Sequence, residues 1–381
     1  MRTEAAPEGR GARAASPRVG IVGSAGAYGR WLRQFFHARM GLEVIGHDPA
    51  DPASIDEADL VRRADVLVFC APIRRTAALI ARYAELAGGQ EAGRLWLDVT
   101  SIKAAPVAAM LAAKAEVVGL HPMTAPPKAP TLKGRVMVVC EARLDTWRPW
   151  VDALLAALEA ECVRATPEQH DRVMALVQAM VHAAHLAQAG VLRGQAGQVG
   201  DLAALMPFRS ASFEMDAAII ARILSLNPAI YEDIQFGNPY AGETLRALGA
   251  QIGRMAALVG EGTDAARAAF RDEFLRDNRE AIGGATLADG NYSYERIGYL
   301  LADLAGAQAL SVHLPEDRPG SLRALLHVFE RHAVSLSSIH SSRTPEGEVH
   351  FRIGFDAGVD AAALARVVAE IDGSGLGRVL P

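Results

Sequence analysis

Cysteine is scarce: Cys70, Cys140 and Cys162 are spread over 381 residues. That is too few for a disulfide framework, and each lies in an apolar stretch, so all three are expected as core residues in a reducing cytoplasm. There is no basic excess. The 39 Lys and Arg against 44 Asp and Glu give a net charge of −5, which removes the electrostatic case for nucleic-acid binding. Residues 1–17 are rich in Ala, Arg, Gly and Pro but have no apolar h-region, so they are expected as a disordered tail and not as a signal peptide. A clean membrane span is also missing. The most membrane-like stretch, Val173–Leu192, contains Gln178, His182, His185 and Gln188, which count against a lipid-facing helix. A soluble, cytoplasmic protein is expected. No HExxH pattern or acidic cluster suggests a metal site, and no internal repeat is visible. Half of the residues are hydrophobic and 22% charged, close to globular norms, and the length suggests roughly two to three domains.

The chain divides into three parts. Residues 18–165 alternate short apolar runs with helix-compatible stretches: RVGIVG (18–23), LEVIGHD (42–48), ADVLVFCAP (64–72), RLWLDVTS (94–101), EVVGLHP (116–122) and RVMVVCE (135–141). This rhythm predicts a buried parallel sheet with helices on both faces. Residues 166–305 lose the strand-like runs. Long helices are expected over 168–193, 211–226, 228–235, 239–259, 263–281 and 291–304. Their apolar excess predicts that helices of two chains pack together. Residues 309–381 read as β-α-β-β-α-β, the ferredoxin-like split unit.

Gly23, Gly26 and Gly29 lie between the first strand and a helix. A tight turn there, and a close backbone approach to a pyrophosphate at a helix N-terminus, both need glycine. Ser24 stands where a G-x-G-x-x-G fingerprint wants its first glycine. Asp48 ends the next strand, placed to accept from ribose hydroxyls and to repel a 2′-phosphate, which favours NAD over NADP. The alternative is a glycine turn with no dinucleotide. In an open α/β sheet, ligands sit beyond the carboxyl ends of the strands. Those ends carry Cys70-Ala71-Pro72, the Asp98–Lys103 segment and Gly119–Met123. His121 is a candidate base for an alcohol proton, and Ser101 a candidate to orient that histidine or the substrate. The alternative for His121 is a satisfied structural histidine.

Gln178, His182 and His185 fall at i, i+4 and i+7, with Asp171 earlier on the same helix face, which suggests a lined cleft. An interhelical hydrogen-bond network is the alternative, more so for His185 than for His182. Arg222 sits in the apolar stretch AAIIARILSL and needs an anionic partner, either a substrate carboxylate or an acid such as Glu214.

Together, DVTSIK (98–103), GLHPM (119–123), HDRVMALVQAMVHAAH (170–185) and ARILSLNPAIYEDI (221–234) resemble the prephenate dehydrogenases, the arogenate/cyclohexadienyl dehydrogenase family of tyrosine biosynthesis. The resemblance spans about residues 18–305. It implies a Rossmann-type NAD-binding domain, an all-helical substrate and dimerisation domain, and a homodimer. It places the family's catalytic histidine on His121, its active-site serine on Ser101, its helical-domain histidine on His182 and its substrate-carboxylate arginine on Arg222. Gln178 is taken as a further substrate contact, and Gly23, Ser24, Gly26, Gly29, Asp48 and Pro72 as the cofactor site. Departures are Ser24, the HPMTAPP loop in place of HPMFGP, and Glu214 where some members carry a second arginine.

Residues 309–381 resemble an ACT domain, with DRPGSL as its strand-to-helix turn. HSSR (340–343) is similar to, without matching, the ESRP of phenylalanine-binding members. The resemblance implies tyrosine as an effector, held by Asp317, Gly320, Ser321 and His340. A dimerisation module without ligand is the alternative. The implied reaction is NAD-dependent oxidative decarboxylation of prephenate to 4-hydroxyphenylpyruvate. Arogenate or an amino-substituted prephenate is the alternative substrate, and an amino-acid sensor on an inactive fold is the reading from another class.

Overall fold

The computed structural model describes residues 16–305, 309–315, 318–343, 349–356 and 358–380. Most of the expected N-terminal tail lies outside them. The chain forms two compact units, divided between Gln251 and Ile252. This division falls inside a helix, Ala241–Glu261.

The first unit is built on a seven-stranded sheet in the order β2-β1-β3-β4-β5-β6-β7. Its strands are β1 (Val19–Val22), β2 (Val44–His47), β3 (Val66–Phe69), β4 (Leu95–Asp98), β5 (Glu116–Pro122), β6 (Val136–Arg143) and β7 (Glu161–Arg164). Helices α1 (Ala27–Met40), α2 (Glu57–Arg63), α3 (Ile73–Ala87), α4 (Ala104–Leu111) and α5 (Arg148–Leu158) connect them. Every residue of β1, β3 and β4 is buried, because successive side chains feed opposite faces of the sheet. Val19, Ile21, Val66, Val68, Leu95 and Leu97 pack with Phe35, Phe36 and Leu154 on one face. Leu67, Phe69 and Trp96 pack with Ile80, Tyr83 and Met110 on the other.

Two expectations are corrected. β5 and β6 are antiparallel, so the sheet is mixed. A parallel pairing needs a crossover element, and residues 123–135 between these strands form no helix. The strand β7, pairing parallel with β6 at the sheet edge, was not singled out from the sequence. Its residue Cys162 is only half-buried there, whereas Cys140 is fully buried, and all three cysteines are free thiols.

A helical layer completes the unit. The Thr166 hydroxyl accepts from the Gln169 backbone N–H and Pro167 occupies the first turn, which together start a helix firmly. That helix runs Pro167–Val199 and is long and apolar enough to cross a membrane by length and composition. It contains one π-helical turn, Ala175–Met180. Helices Ala211–Ser225 and Pro228–Gly237 follow.

The second unit contains helical residues 264–282, the helix Gly284–Ala305 and a four-stranded antiparallel sheet. Its strands β8 (Ala309–Leu314), β9 (Ser338–Arg343), β10 (Val349–Gly354) and β11 (Arg378–Leu380) run in the order β11-β8-β10-β9. Helices Ser321–Arg331 and Ala361–Ser374 pack on it around Val312, Phe329, Ile353 and Val367. The expected β-α-β-β-α-β order is present.

Candidate active site

The loop after β1 is shaped by glycine. Gly23 has φ +84°, and a Cβ there would stand 2.8 Å from the Cys70 carbonyl oxygen. A Cβ on Gly29 would stand 2.1 Å from the Gly23 oxygen, so α1 can approach the loop only because Gly29 has no side chain. Gly26 is the N-cap of α1; no side chain caps it, and no acid stands in the first turn. The first-turn N–H groups are therefore left uncapped by the helix's own side chains. Ser24 is buried, and its hydroxyl has no partner among the described residues. Its side chain fits because residue 46 on β2 is glycine: a Cβ there would lie 2.4 Å from the Ser24 Cβ. The departure at 24 is thus matched by Gly46 opposite it.

The Asp48 carboxylate accepts from the Ala25 N–H at 3.0 Å and the Ala50 N–H at 2.9 Å. An ionised carboxylate offers about four acceptor positions, so capacity remains for ribose hydroxyls. Open N–H groups, a glycine cradle and this carboxylate fit a dinucleotide. Pro72 sits at the N-cap of α3, beyond β3.

The end of β4 is held from within. The Lys103 ammonium and Asp98 carboxylate form a fully buried ion pair, and Lys103 also donates to the Leu120 carbonyl at 2.8 Å. Asp98 accepts from the Thr100 N–H and hydroxyl. Of the DVTSIK motif, Asp98, Thr100 and Lys103 are thus architectural, and Ser101 is left half-buried beyond the strand.

His121 lies in β5 and is 2% exposed. Its Nδ1 is 2.8 Å from Nε2 of His170, whose Nδ1 is 2.7 Å from Asp171 Oδ1. His170 and Asp171 are equally buried. The ring contact of His121 is thus with His170, which the sequence did not single out for it; Ser101 remains a candidate to orient that histidine or the substrate. Burial first, and then the neighbouring His170 and Lys103, hold the His121 imidazole well below its ordinary pKa, so it is neutral and able to accept a proton. The loop after His121 is strapped to α1, because the Tyr28 hydroxyl donates to the Thr124 carbonyl and the Trp31 indole to that of Ala129.

Asp171 does not line a cleft, contrary to expectation. Its carboxylate accepts from the Lys103 N–H at 2.8 Å and the Ala104 N–H at 2.9 Å, capping α4. Asp233 does the same for α3, accepting from the Arg74 N–H at 3.2 Å. The Asn238 amide donates to the Asp171 carbonyl at 2.8 Å. The helical layer thus docks by placing carboxylates on two helix N-termini, where negative charge is favoured.

The expected Gln178–His182–His185 stripe divides. His185 Nε2 meets Asp216 Oδ1 at 3.3 Å, and Gln188 donates to the same carboxylate; this is the interhelical network. Gln178 Oε1 and His182 Nδ1 are buried polar atoms without a partner among the described residues. The His182 ring stands edge-on to Tyr231 at 4.8 Å, and its pKa is lowered, by burial and then by His185. Arg222 is exposed at the end of its helix. Glu214 is not its partner, being paired with Arg209 at 3.0 Å. Among the described residues Arg222 forms no ion pair.

Three domain families match the chain: a prephenate dehydrogenase nucleotide-binding domain over residues 49–166, a prephenate dehydrogenase dimerization domain over 166–271, and an ACT domain over 309–372. A 4-amino-4-deoxyprephenate dehydrogenase of Streptomyces pristinaespiralis is 32% identical over 275 residues, 66% of this chain and 88% of that protein. The chain belongs to the prephenate dehydrogenase family. A probable arogenate/prephenate dehydrogenase of Methanocaldococcus jannaschii is 27% identical over 239 residues, 58% of this chain; the match spans about half of that relative, 52%. The fold is shared with the prephenate dehydrogenase of A. aeolicus, crystallised with hydroxyphenyl propionate and NAD+, at a TM-score of 0.55 and 17% identity, covering 71% of this chain and 99% of that one.

Within this prephenate dehydrogenase family framework, the dimerization domain covers helices whose apolar side chains stand open in the single chain, among them Val173, Leu176, Val177 and Val191. In the ACT domain, Gly320 has φ +97° and is the N-cap of helix Ser321–Arg331. The Ser321 hydroxyl accepts from the Arg318 N–H at 3.1 Å. His340 lies on β9, opposite Arg352 of β10. Asp317 lies outside the described residues.

Proposed function

We propose that the protein catalyses NAD-dependent oxidative decarboxylation of prephenate. The observation that carries this reading is His121, a buried imidazole joined to His170 at the carboxyl end of β5, in the same sheet whose first strand carries the glycine loop. Bound NAD supplies a hydride acceptor. In this reading the N-terminus of α1 holds the pyrophosphate and Asp48 holds the ribose hydroxyls. His121 takes the proton of the substrate's ring hydroxyl as hydride leaves the same carbon. The dienone then loses carbon dioxide to become a phenol. Aromatisation drives that loss, so positioning and charge placement are the protein's task. Ser101 contacts the substrate beside His121. Gln178 and His182 offer unpartnered polar atoms to it, and Arg222 offers a cation to a substrate carboxylate.

A second substrate is favoured by the 32% identity to a 4-amino-4-deoxyprephenate dehydrogenase. It uses the same base, loop and helical residues on an amino-substituted ring. Mixing the protein and NAD separately with prephenate, arogenate and 4-amino-4-deoxyprephenate decides between them. The highest kcat/KM is expected with prephenate, and NADH formed only from the amino compound overturns that assignment. The protein is further read as a homodimer through its helical layer, with tyrosine as an effector at the ACT domain.

A further inference from the structure

We propose that His170, held by Asp171, is a positioning residue that fixes which nitrogen of His121 is the base. The argument rests on the reading of His121 as the proton acceptor and follows from counting protons along the chain of hydrogen bonds. Asp171 receives two backbone N–H groups, from Lys103 and Ala104, so its carboxylate acts as acceptor. The proton in its 2.7 Å contact with His170 therefore sits on His170 Nδ1. A neutral His170 then has a lone pair at Nε2. The 2.8 Å contact to His121 needs one proton, which must be on His121 Nδ1. His121 Nε2 is left with the lone pair and is the only atom of the ring able to take a substrate proton.

The opposite arrangement requires His170 to be a cation. Both rings are buried, and the Lys103 ammonium, paired with Asp98, already lies in this part of the interior. A further cation there carries a desolvation cost. When His121 takes a proton at Nε2, its Nδ1–H already points at an acceptor whose other N–H faces a carboxylate. The new charge is met by groups that need no rearrangement, the logic of a base oriented by a third group. Asp171 also caps α4, the helix that follows Ser101. One carboxylate therefore both docks the helical layer on the sheet and sets the tautomer of the base.

The test has a spectroscopic arm and a kinetic arm, both on the full chain. Nitrogen-15 NMR of histidine-labelled protein, with the His121 signals assigned by their loss in His121→Asn, should show the proton on Nδ1 and none on Nε2. His170→Phe keeps a ring but removes the acceptor. It should lower kcat by about a hundredfold to ten-thousandfold, the scale for disturbing an oriented base, with KM changed by less than about threefold. His170→Gln can accept from His121 and donate to Asp171 through its amide, and should recover at least about tenfold of that loss. A proton on His121 Nε2 in the wild type overturns the proposal, as does a His170→Phe kcat within about threefold of wild type. If His170→Phe fails to fold, the wild-type spectrum and the His170→Gln rate still decide. Absence of NADH with every substrate tested defeats the functional reading instead, while the spectrum still reports the tautomer.

Discussion

In the proposed reaction, His121 concentrates the chemistry in one side chain. His121→Asn removes the proton acceptor while keeping a polar group of smaller size. Turnover should fall by at least about a hundredfold, with NAD affinity unchanged in a binding titration. Its pH dependence has a definite sign. Burial, His170 and Lys103 depress its pKa, so the base form persists below the ordinary histidine value. The acid limb of kcat/KM should therefore fall below about pH 6.5. A limb at or above that value would mean that the base is an unperturbed histidine elsewhere. Asp48 makes a different prediction. Its carboxylate disfavours a 2′-phosphate, so NAD should be preferred to NADP, and Asp48→Ser should narrow the ratio of the two kcat/KM values. Lys103 never touches solvent. Lys103→Ala leaves Asp98 buried without its cation and should cost about 3–5 kcal/mol in denaturant unfolding, the scale for breaking a buried pair.

The elements of the fold differ in how far the sequence reveals them. Central strands of a covered sheet are apolar on both faces, so β1, β3 and β4 stand out as continuous runs. The short edge strand β7 has no such run, and nothing in a strand's residues records that β5 and β6 are antiparallel. The long helix shows a further limit. A regular 3.6-residue period places Gln178, His182 and His185 on one stripe, but what each side chain meets is set by residues far along the chain, Asp216 lying 31 residues beyond His185. His185 then goes to Asp216, while Gln178 and His182 keep unpartnered atoms. His121 was legible from its place after a strand. Its partner His170 lies 49 residues on, and the Asp171 contacts span 67 and 68, separations that no local pattern reports. Asp171 was legible as part of a polar helix face, and His170 only within a family motif. At this scale, Gly29→Ala tests the loop. The Cβ would meet the Gly23 oxygen at 2.1 Å, so α1 must move, and NAD affinity should fall at least about tenfold in calorimetry.

At the scale of the whole molecule, the proposed catalysis and the proposed regulation belong to different parts of the chain. The ACT domain offers a helix N-terminus at Gly320, where a carboxylate is favoured. Tyrosine should inhibit the enzyme, and Gly320→Asp, which adds both a side chain at positive φ and a like charge, should abolish most of that inhibition without lowering the uninhibited rate. Tyrosine binding equally to both proteins in calorimetry would remove the regulatory site from Gly320. The central claim, that this chain couples hydride transfer to loss of a ring carboxylate through His121, has a more direct test. NADH, carbon dioxide and 4-hydroxyphenylpyruvate are measured together after mixing NAD and prephenate with wild type and with His121→Asn. Equimolar appearance of all three with wild type, slowed at least about a hundredfold in the variant, is the predicted result. No NADH from wild type, or an undiminished rate in the variant, would contradict it.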